Sequence, residues 1–410
     1  MTAPASVENN RKRILGFDAN VFFMGLTSFF TDISSELIFT LVPLFLSDVL
    51  GATSTIVGLV GGLSDSADSI FRIFSGWFSD KIGKRKALAT MGYSISTVAK
   101  PFMLLANTWG AVIGVRVGDR IGKGVRSSSR DALIADSVDE KERGRSFGLH
   151  RAMDTAGAVV GLIIAAIIVY MIPGDKFHMT RDAYHWMVVV AIIPAVLAVL
   201  VILTLVRERK KVASAAQAST GKPVGLTPFS NQFKLFLVII GLFTLGNSSD
   251  FFLILEAQRV KTPLLQVVLM LVLFNLTYAL LSTPMGVLSD KIGRKRVITA
   301  GWLIYGLVYI GFALSGIIWQ IWALFAVYGV YYAICDGAAK AFVADLVPAN
   351  RRGTAYGIYN GVVGLVALPA SLIAGVLWGN IAPAAAFYFG AGLALLAMVG
   401  LLFIIKEKKS

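Results

Sequence analysis

The sequence predicts an all-α integral membrane protein of twelve transmembrane helices, arranged as two parallel six-helix repeats. Three observations carry this expectation. Of 410 residues, 56% are hydrophobic and only 15% are charged, whereas soluble domains carry roughly 25% charged residues. Mean hydropathy is +0.73, and twelve apolar stretches approach the ~20 residues that cross a hydrocarbon layer. The chain also repeats itself at a separation of about half its length, the period of a duplicated unit.

The stretches run approximately 19–47, 54–78, 88–107, 109–128, 146–172, 185–206, 234–257, 264–288, 297–315, 318–338, 355–378 and 383–405. The basic residues alternate with them. Arg11 to Arg13, Lys81 to Lys86, Arg143 and Arg145, Arg207 to Lys211, Lys291 to Arg296, Arg351 and Arg352, and Lys406 to Lys409 fall on one side. The other side holds Lys176, Arg181, Arg259 and Lys261. A net charge of +14 would suggest nucleic acid in a soluble chain. Distributed this way it is a topology signal instead, which places both termini in the cytoplasm and requires an even number of spans. No nucleic-acid partner is expected. The polar start up to Gly16 and the long first apolar run argue against a cleavable leader. The lone Cys335 excludes an intramolecular disulfide and reads as a small packing residue.

The repeat is visible residue by residue. Gly76-Trp-Phe-Ser-Asp-Lys-Ile-Gly-Lys-Arg-Lys86 recurs 210 positions later as Gly286-Val-Leu-Ser-Asp-Lys-Ile-Gly-Arg-Lys-Arg296. Ala135-Asp136, Arg143-Gly144 and Phe147-Gly148 recur 209 positions later as Ala344-Asp345, Arg352-Gly353 and Tyr356-Gly357. Ser34-Ser35-Glu36 is echoed by Ser248-Ser249-Asp250. The expected organisation is therefore a first half at 1–206, a basic polar linker at 207–231 and a second half at 232–410. Parallel halves with a substrate site between them are one of the recognised transporter plans.

The repeated Gly-to-Lys/Arg block resembles the cytoplasmic loop signature of the major facilitator superfamily, between helices 2 and 3 and again between 8 and 9. Arg120-Ile-Gly-Lys-Gly124 resembles that family's helix-4 motif, with Asp119, Lys123 and Arg126 as departures from it. The run from Arg130 to Gly157 resembles a bacterial subgroup of the family. The resemblance covers about residues 17 to 406. It implies a gate built from Gly76, Asp80, Gly83, Arg85 and Arg143, echoed by Gly286, Asp290, Gly293, Lys295 and Arg352. It further implies that Asp80 contacts the start of helix 11, near Gly353 to Gly357. Read without the family, the same residues give close helix approach and a tight turn at the glycines, and carboxylates facing helix N-termini.

Ionisable residues at bilayer depth are costly and normally face a cavity or one another. The first half has Asp32 and Glu36 on helix 1, Asp65, Asp68 and Arg72 on helix 2, and Lys100 on helix 3. Helix 4 adds Arg116, Asp119, Arg120, Lys123 and Arg126, and helix 5 adds His150, Arg151 and Asp154. The second half is poorer, with Asp250 and Glu256 on helix 7, and Asp336 and Lys340 on helix 10; Asn275 stands where the first repeat has Asp65. Asp68 with Arg72 reads as either an intrahelical pair or a pair of ligands, and Asp154 as either a coupling residue or a structural partner of Arg151 or His150. At 1.5 Å per residue Asp32 and Glu36 lie about 20–25 Å into the membrane, so Glu36 is expected to meet Arg120. Tyr328, Tyr331 and Tyr332 share a helix-10 face that either lines a pocket or packs.

These readings converge on a secondary active transporter of the bacterial inner membrane that moves a small organic solute by alternating access. Proton coupling is expected, as symport or antiport, because there is no nucleotide-binding motif and there are buried carboxylates to protonate. The positive first half favours anionic or amphipathic solutes. Drug or metabolite efflux stands as the alternative to uptake of an organic anion or metal chelate. A membrane enzyme or a sensor is the lesser rival. His150, His178 and His185 lack metal-ligand spacing, so no metal, cofactor or catalytic set is expected, and the working unit is read as a monomer in the bilayer.

Overall fold

The computed structural model describes residues 13–82, 85–138, 142–208, 229–348 and 351–404, and the side chains of 72–82 fall outside the described set. A two-residue turn at Leu15 and Gly16, both at positive φ, reverses the chain. The first span follows. Twelve spans succeed one another, α1 (Ala19–Phe39), α2 (Ser54–Ile82), α3 (Arg85–Ala99), α4 (Trp109–Ser137), α5 (Arg143–Met171) and α6 (Arg181–Thr204). Then come α7 in two segments (Asn231–Gly246 and Phe251–Arg259), α8 (Leu264–Ile292), α9 (Arg294–Leu314), α10 (Ile318–Leu346), α11 (Arg352–Asn380) and α12 (Pro383–Ile404). Among the described residues nine helices are by themselves long and apolar enough to cross a membrane. The exceptions are α2 and α4, which carry the first-half charges, and the 15-residue α3. Many large apolar side chains are exposed, Phe403 at 77% and Leu280 at 73% among them, a surface that lipid accepts and water does not.

Local chemistry sets the helix starts. The side chains of Asp18, Thr108, Thr180 and Ser230 accept backbone N–H groups in the first turns of α1, α4, α6 and α7, the usual N-cap arrangement. Gly293 at φ 97° makes the turn between α8 and α9, a conformation other residues resist. Beyond Ala99 the chain tightens to a 3-10 turn over Lys100–Leu105, because Pro101 has no N–H to continue the α-helical ladder. After α1 a short helical turn, Val42–Leu44, leads into a π-helical segment, Phe45–Val49.

Packing repeats with the sequence. α3 lies against α4 as α9 lies against α10, and α2 against α4 as α8 against α10. α1 contacts α6 as α7 contacts α12. The first six spans meet the last six along two seams, α2 with α11 and α5 with α8, the former being much the more extensive. In the α2–α11 seam a Cβ on Gly62 would lie 2.9 Å from the Leu368 Cα, and one on Gly375 would lie 2.7 Å from the Ser54 carbonyl oxygen. Backbone therefore meets backbone there.

Candidate functional site

A cavity of about 410 Å³ lies between the two sets of six helices. One end is sealed. Asp48, in the π-helical segment after α1, accepts from the Met179 amide at 2.7 Å and from Gln258 Nε2 at 2.7 and 2.8 Å. It thereby ties α1, the α5–α6 loop and α7 together. The Leu264 amide donates to the Lys176 carbonyl at 2.8 Å, and Ser54 Oγ donates to the Gly375 carbonyl at 3.0 Å. The α5–α6 loop is itself braced. Asp175 accepts from the Phe177 amide and from His178 Nδ1, and these bonds hold its carboxyl below the usual carboxylate range. At the opposite end, where the repeated loop motif lies, a Cβ built on Gly144, Gly148, Gly286, Gly353 or Gly357 would meet nothing within 4 Å among the described residues. Asp48 and Gln258 are functional candidates that the sequence reading missed. An acid just past an apolar stretch looks like an ordinary solvated loop residue.

The wall from the first six helices is ionic. Asp32 and Glu36 of α1, Asp65 of α2, and Arg116, Asp119, Arg120, Lys123 and Arg126 of α4 line it. The α4 residues recur at three- and four-residue spacing and so share one face. Arg116 is only 2% exposed. Its guanidinium carbon lies 4.7 Å from the Phe39 ring centroid and 5.7 Å from that of Phe251, and its Nε donates to Ser64 Oγ at 3.3 Å. Arg116 Nη1 and Arg120 Nε are buried with no acceptor. Lys100, fully buried, donates to Ser34 Oγ at 2.7 Å and to Ser35 Oγ at 3.2 Å. It stands in the field of Asp119, Asp32 and Glu36. Arg126 donates to Ser96 Oγ at 2.7 Å and lies over the Tyr93 ring.

Two expected pairings are corrected. Glu36 and Arg120 both line the cavity, but no ion pair joins them: Glu36 accepts from the Thr40 hydroxyl one turn on, and Asp68, Asp119 and Asp65 also bear on Arg120. Asp154 does not pair directly with Arg151 or His150. Its carboxyl is within hydrogen-bonding reach of the Asp32 carboxyl across the α1–α5 contact. His150 Nε2 instead meets Ser28 Oγ at 2.8 Å. Arg151 crosses to the second set of helices, where it contacts the Tyr278 hydroxyl and lies 3.5 Å from Asp336.

The wall from the last six helices is mostly neutral. Thr244, Asn247, Ser248, Ser249, Phe274, Asn275 and Tyr332 line it, with Asp250 as its acid. α7 unwinds between Gly246 and Phe251. Freed backbone groups need partners, and here the Tyr305 hydroxyl donates to the Gly246 carbonyl at 3.0 Å while the Ser249 amide donates to Ser371 Oγ at 3.1 Å. Asp250 accepts from the hydroxyls of Tyr328 at 2.6 Å and Tyr332 at 3.1 Å. Of the three helix-10 tyrosines, Tyr332 lines the cavity, while Tyr328 and Tyr331 are buried against Tyr305. Asn275 lines the cavity and donates back to the Leu271 carbonyl.

The loop motif acquires a mechanical meaning. Arg85 clamps Asp136 and the Ala132 carbonyl, and Arg294 clamps Asp345 at 2.6 Å and the Ala341 carbonyl at 2.9 Å. Two separate sequence echoes thus turn out to be the two ends of one contact. The counterpart of Arg85 is Arg294 rather than Lys295. Lys295 donates to the Leu402 carbonyl as Lys86 donates to that of Leu203. Asp290 is a further partner of Arg294, at 3.3 Å. Arg143 and Arg352 open α5 and α11 and are exposed. Gly83 lies outside the described residues, as do the side-chain environments of Arg72, Gly76 and Asp80, and with them the expected contact of Asp80 with α11.

The family model described as Major Facilitator Superfamily matches residues 24–260 and 251–410. An uncharacterized MFS-type transporter of Methanocaldococcus jannaschii is 37% identical over 409 residues, 98% of this chain and 99% of the other. The proton-coupled antiporter flippase LtaA of Staphylococcus epidermidis is 23% identical over 340 residues, 81% of each chain. In fold, the chain is similar to a point mutant of the nucleoside transporter NupG, at a TM-score of 0.78 and 14% identity over 94% of this chain and 100% of that one. It is also similar to the E. coli xylose transporter XylE, at a TM-score of 0.72 and 16% identity over 95% and 96%.

Proposed function

The chain belongs to the major facilitator superfamily, and from that premise we propose a secondary active transporter that moves a small organic solute by alternating access. The observation that carries this reading is the cavity between the two sets of helices, closed by Asp48, Gln258 and the α2–α11 seam at one end, with the repeated loop motif at the other, which in this reading is the open end. In this reading residues 1–206 and 232–410 rock as two bodies about the cavity, joined by 207–231. The open end, rich in basic residues, is cytoplasmic, the bilayer is the bacterial inner membrane, and both termini are cytoplasmic. Asp80, Arg85 and their second-repeat echoes belong to the gate that closes this end.

The driving ion is the proton. The carboxylates that line the cavity, Asp32, Glu36, Asp65 and Asp250, support this choice as sites a proton could occupy. The similarity to a relative named as a proton-coupled antiporter favours it as well. Pairs of spin labels report the cycle without a known substrate. One pair replaces Thr53 and Ile381 at the sealed end, the other Phe147 and Thr354 at the open end, in a Cys335→Ser background. Between pH 8 and pH 6 the two distance distributions are expected to move in opposite senses. Distances that stay fixed, or that lengthen together, would rule the reading out.

A further inference from the structure

We infer that the forks of Arg116 and Arg120 form an oxyanion site, and that the transported solute carries a carboxylate or a phosphate that docks there. The inference rests on the transporter reading for its use, but its evidence is local. A guanidinium has five N–H donors and no acceptor. Among the described residues, the hydrogen bonds of Arg116 come down to one, from Nε to Ser64 at 3.3 Å. Its Nη1 is buried without an acceptor on a residue only 2% exposed. Leaving a buried charged donor unsatisfied is costly. The side chain has not escaped to water. It is held in place by the rings of Phe39 and Phe251, a contact that favours a cation over an aromatic face. The arginine is therefore pre-positioned, with unused donors, on the wall of a cavity.

Arg120 makes the argument stronger. It lies four residues on, on the same face of α4, and its Nε is also buried without an acceptor. Two like charges at that spacing repel. Asp65 and Asp119 stand nearby, and among the described residues neither closes an ion pair with either arginine. An oxyanion between the two forks would satisfy both, in the bidentate geometry for which arginine is suited. Across the cavity stand Asn247, Asn275 and Tyr332, with Asp250 held by Tyr328 and Tyr332, so the body of the solute would meet amides, a hydroxyl and a ring, and no second cation. Phe251 belongs to α7, so the same guanidinium touches both sets of helices, and an anion bound there would be felt at their interface.

The test uses the whole protein in detergent, at constant ionic strength, with phenyl phosphate and benzoate as probes and phenol as the neutral control. The two acids separate a phosphate from a carboxylate site. At least one acid is expected to raise the unfolding temperature saturably, by about 2 °C at tenfold excess over Kd, while phenol does not. Arg116→Gln and Arg120→Gln abolish the shift, Arg116→Lys weakens binding about tenfold because a point charge lacks the fork, and Lys261→Gln leaves it intact. Should Arg116→Gln fail to fold, phenylglyoxal modification of Arg116 in the parent protein is followed by mass spectrometry, and the acid is expected to slow it at least fivefold. Equal shifts in the parent and both glutamine variants would overturn the site, as would neither a shift nor protection. A bound acid with no opposed motion of the spin-label pairs would sink the transporter reading and leave the site. Opposed motion without an anion response would do the reverse.

Discussion

The same tripeptide, serine-serine-acid, occurs in both repeats and behaves differently in each. Ser34-Ser35-Glu36 continues the α1 helix, and its serines accept from the buried ammonium of Lys100. Ser248-Ser249-Asp250 lies in the break of α7, and its acid accepts from two tyrosines. The position corresponding to Lys100, 209 residues later, is Tyr309. Local propensity is nearly the same in the two copies, so the outcome is decided by what the neighbouring helices offer. A buried cation leaves the helix intact and builds an ionic wall. Tyrosyl hydroxyls satisfy a freed carbonyl and a carboxylate, which permits unwinding. One repeat thus supplies charge and the other shape, and discontinuous helices of the second kind commonly hold substrate groups in transporters.

The largest expected effect is at the cation. Lys100→Met removes the buried ammonium from the field of Asp119, Asp32 and Glu36, and should lower stability by about 3 kcal/mol. Tyr309→Phe removes a hydroxyl whose oxygen has no well-formed hydrogen bond among the described residues, and should change stability by no more than about 0.5 kcal/mol. Unfolding in mild detergent measures both. Equal losses would erase the distinction between the repeats.

Next comes the acid in the break. Asp250→Leu leaves the hydroxyls of Tyr328 and Tyr332 without their acceptor, and should cost about 2 kcal/mol. Asp250→Asn retains an accepting oxygen and should cost about half as much. Were the two variants equally destabilised, the charge of Asp250 rather than its hydrogen bonds would be what the second repeat needs, and the contrast would narrow.

The smallest effect concerns what the repeats share. Arg85→Gln and Arg294→Gln each open one clamp onto Asp136 or Asp345, and each should cost about 1 kcal/mol. The clamps sit on different repeats, so the double variant should be additive within about 0.5 kcal/mol. Strong coupling between them would mean that the two motif loops act as one unit.

How far the fold was legible depends on how local its causes are. Nine of the spans follow from apolar length, while α2, α3 and α4 are legible only from shorter apolar runs and from the repeat, α4 because its first residues are apolar. Its end was misjudged. The helix runs to Ser137 rather than 128, since the charged face that looks like a loop in one dimension faces a cavity in three. The break in α7 was not legible, because Asn247 to Asp250 contain no proline and the partners that stabilise unwinding come from α9, α10 and α11. The meeting of Asp32 with Asp154 was hidden for a different reason. Charge-pairing rules join opposite signs, and a contact between two acids follows only from how closely α1 and α5 pack. Arg116 and Arg120 are legible as site residues from depth and, for Arg120, from the helix-4 motif, but the unmet donors at Arg116 Nη1 and Arg120 Nε follow only from the packing around them.

The α2–α11 seam also bears on how easily the sealed end parts. Its contacts include glycine backbone and short serines, Ser54 and Ser66, which donate to the carbonyls of Gly375 and Gly364. Glycine has no side-chain rotamers to freeze and serine few, so bringing these helices together forfeits little conformational freedom. Parting them exposes carbonyls that water can hydrate at once. In the alternating-access reading, contacts of this kind would hold the sealed end through hydrogen bonds that water can replace rather than through interlocked long side chains.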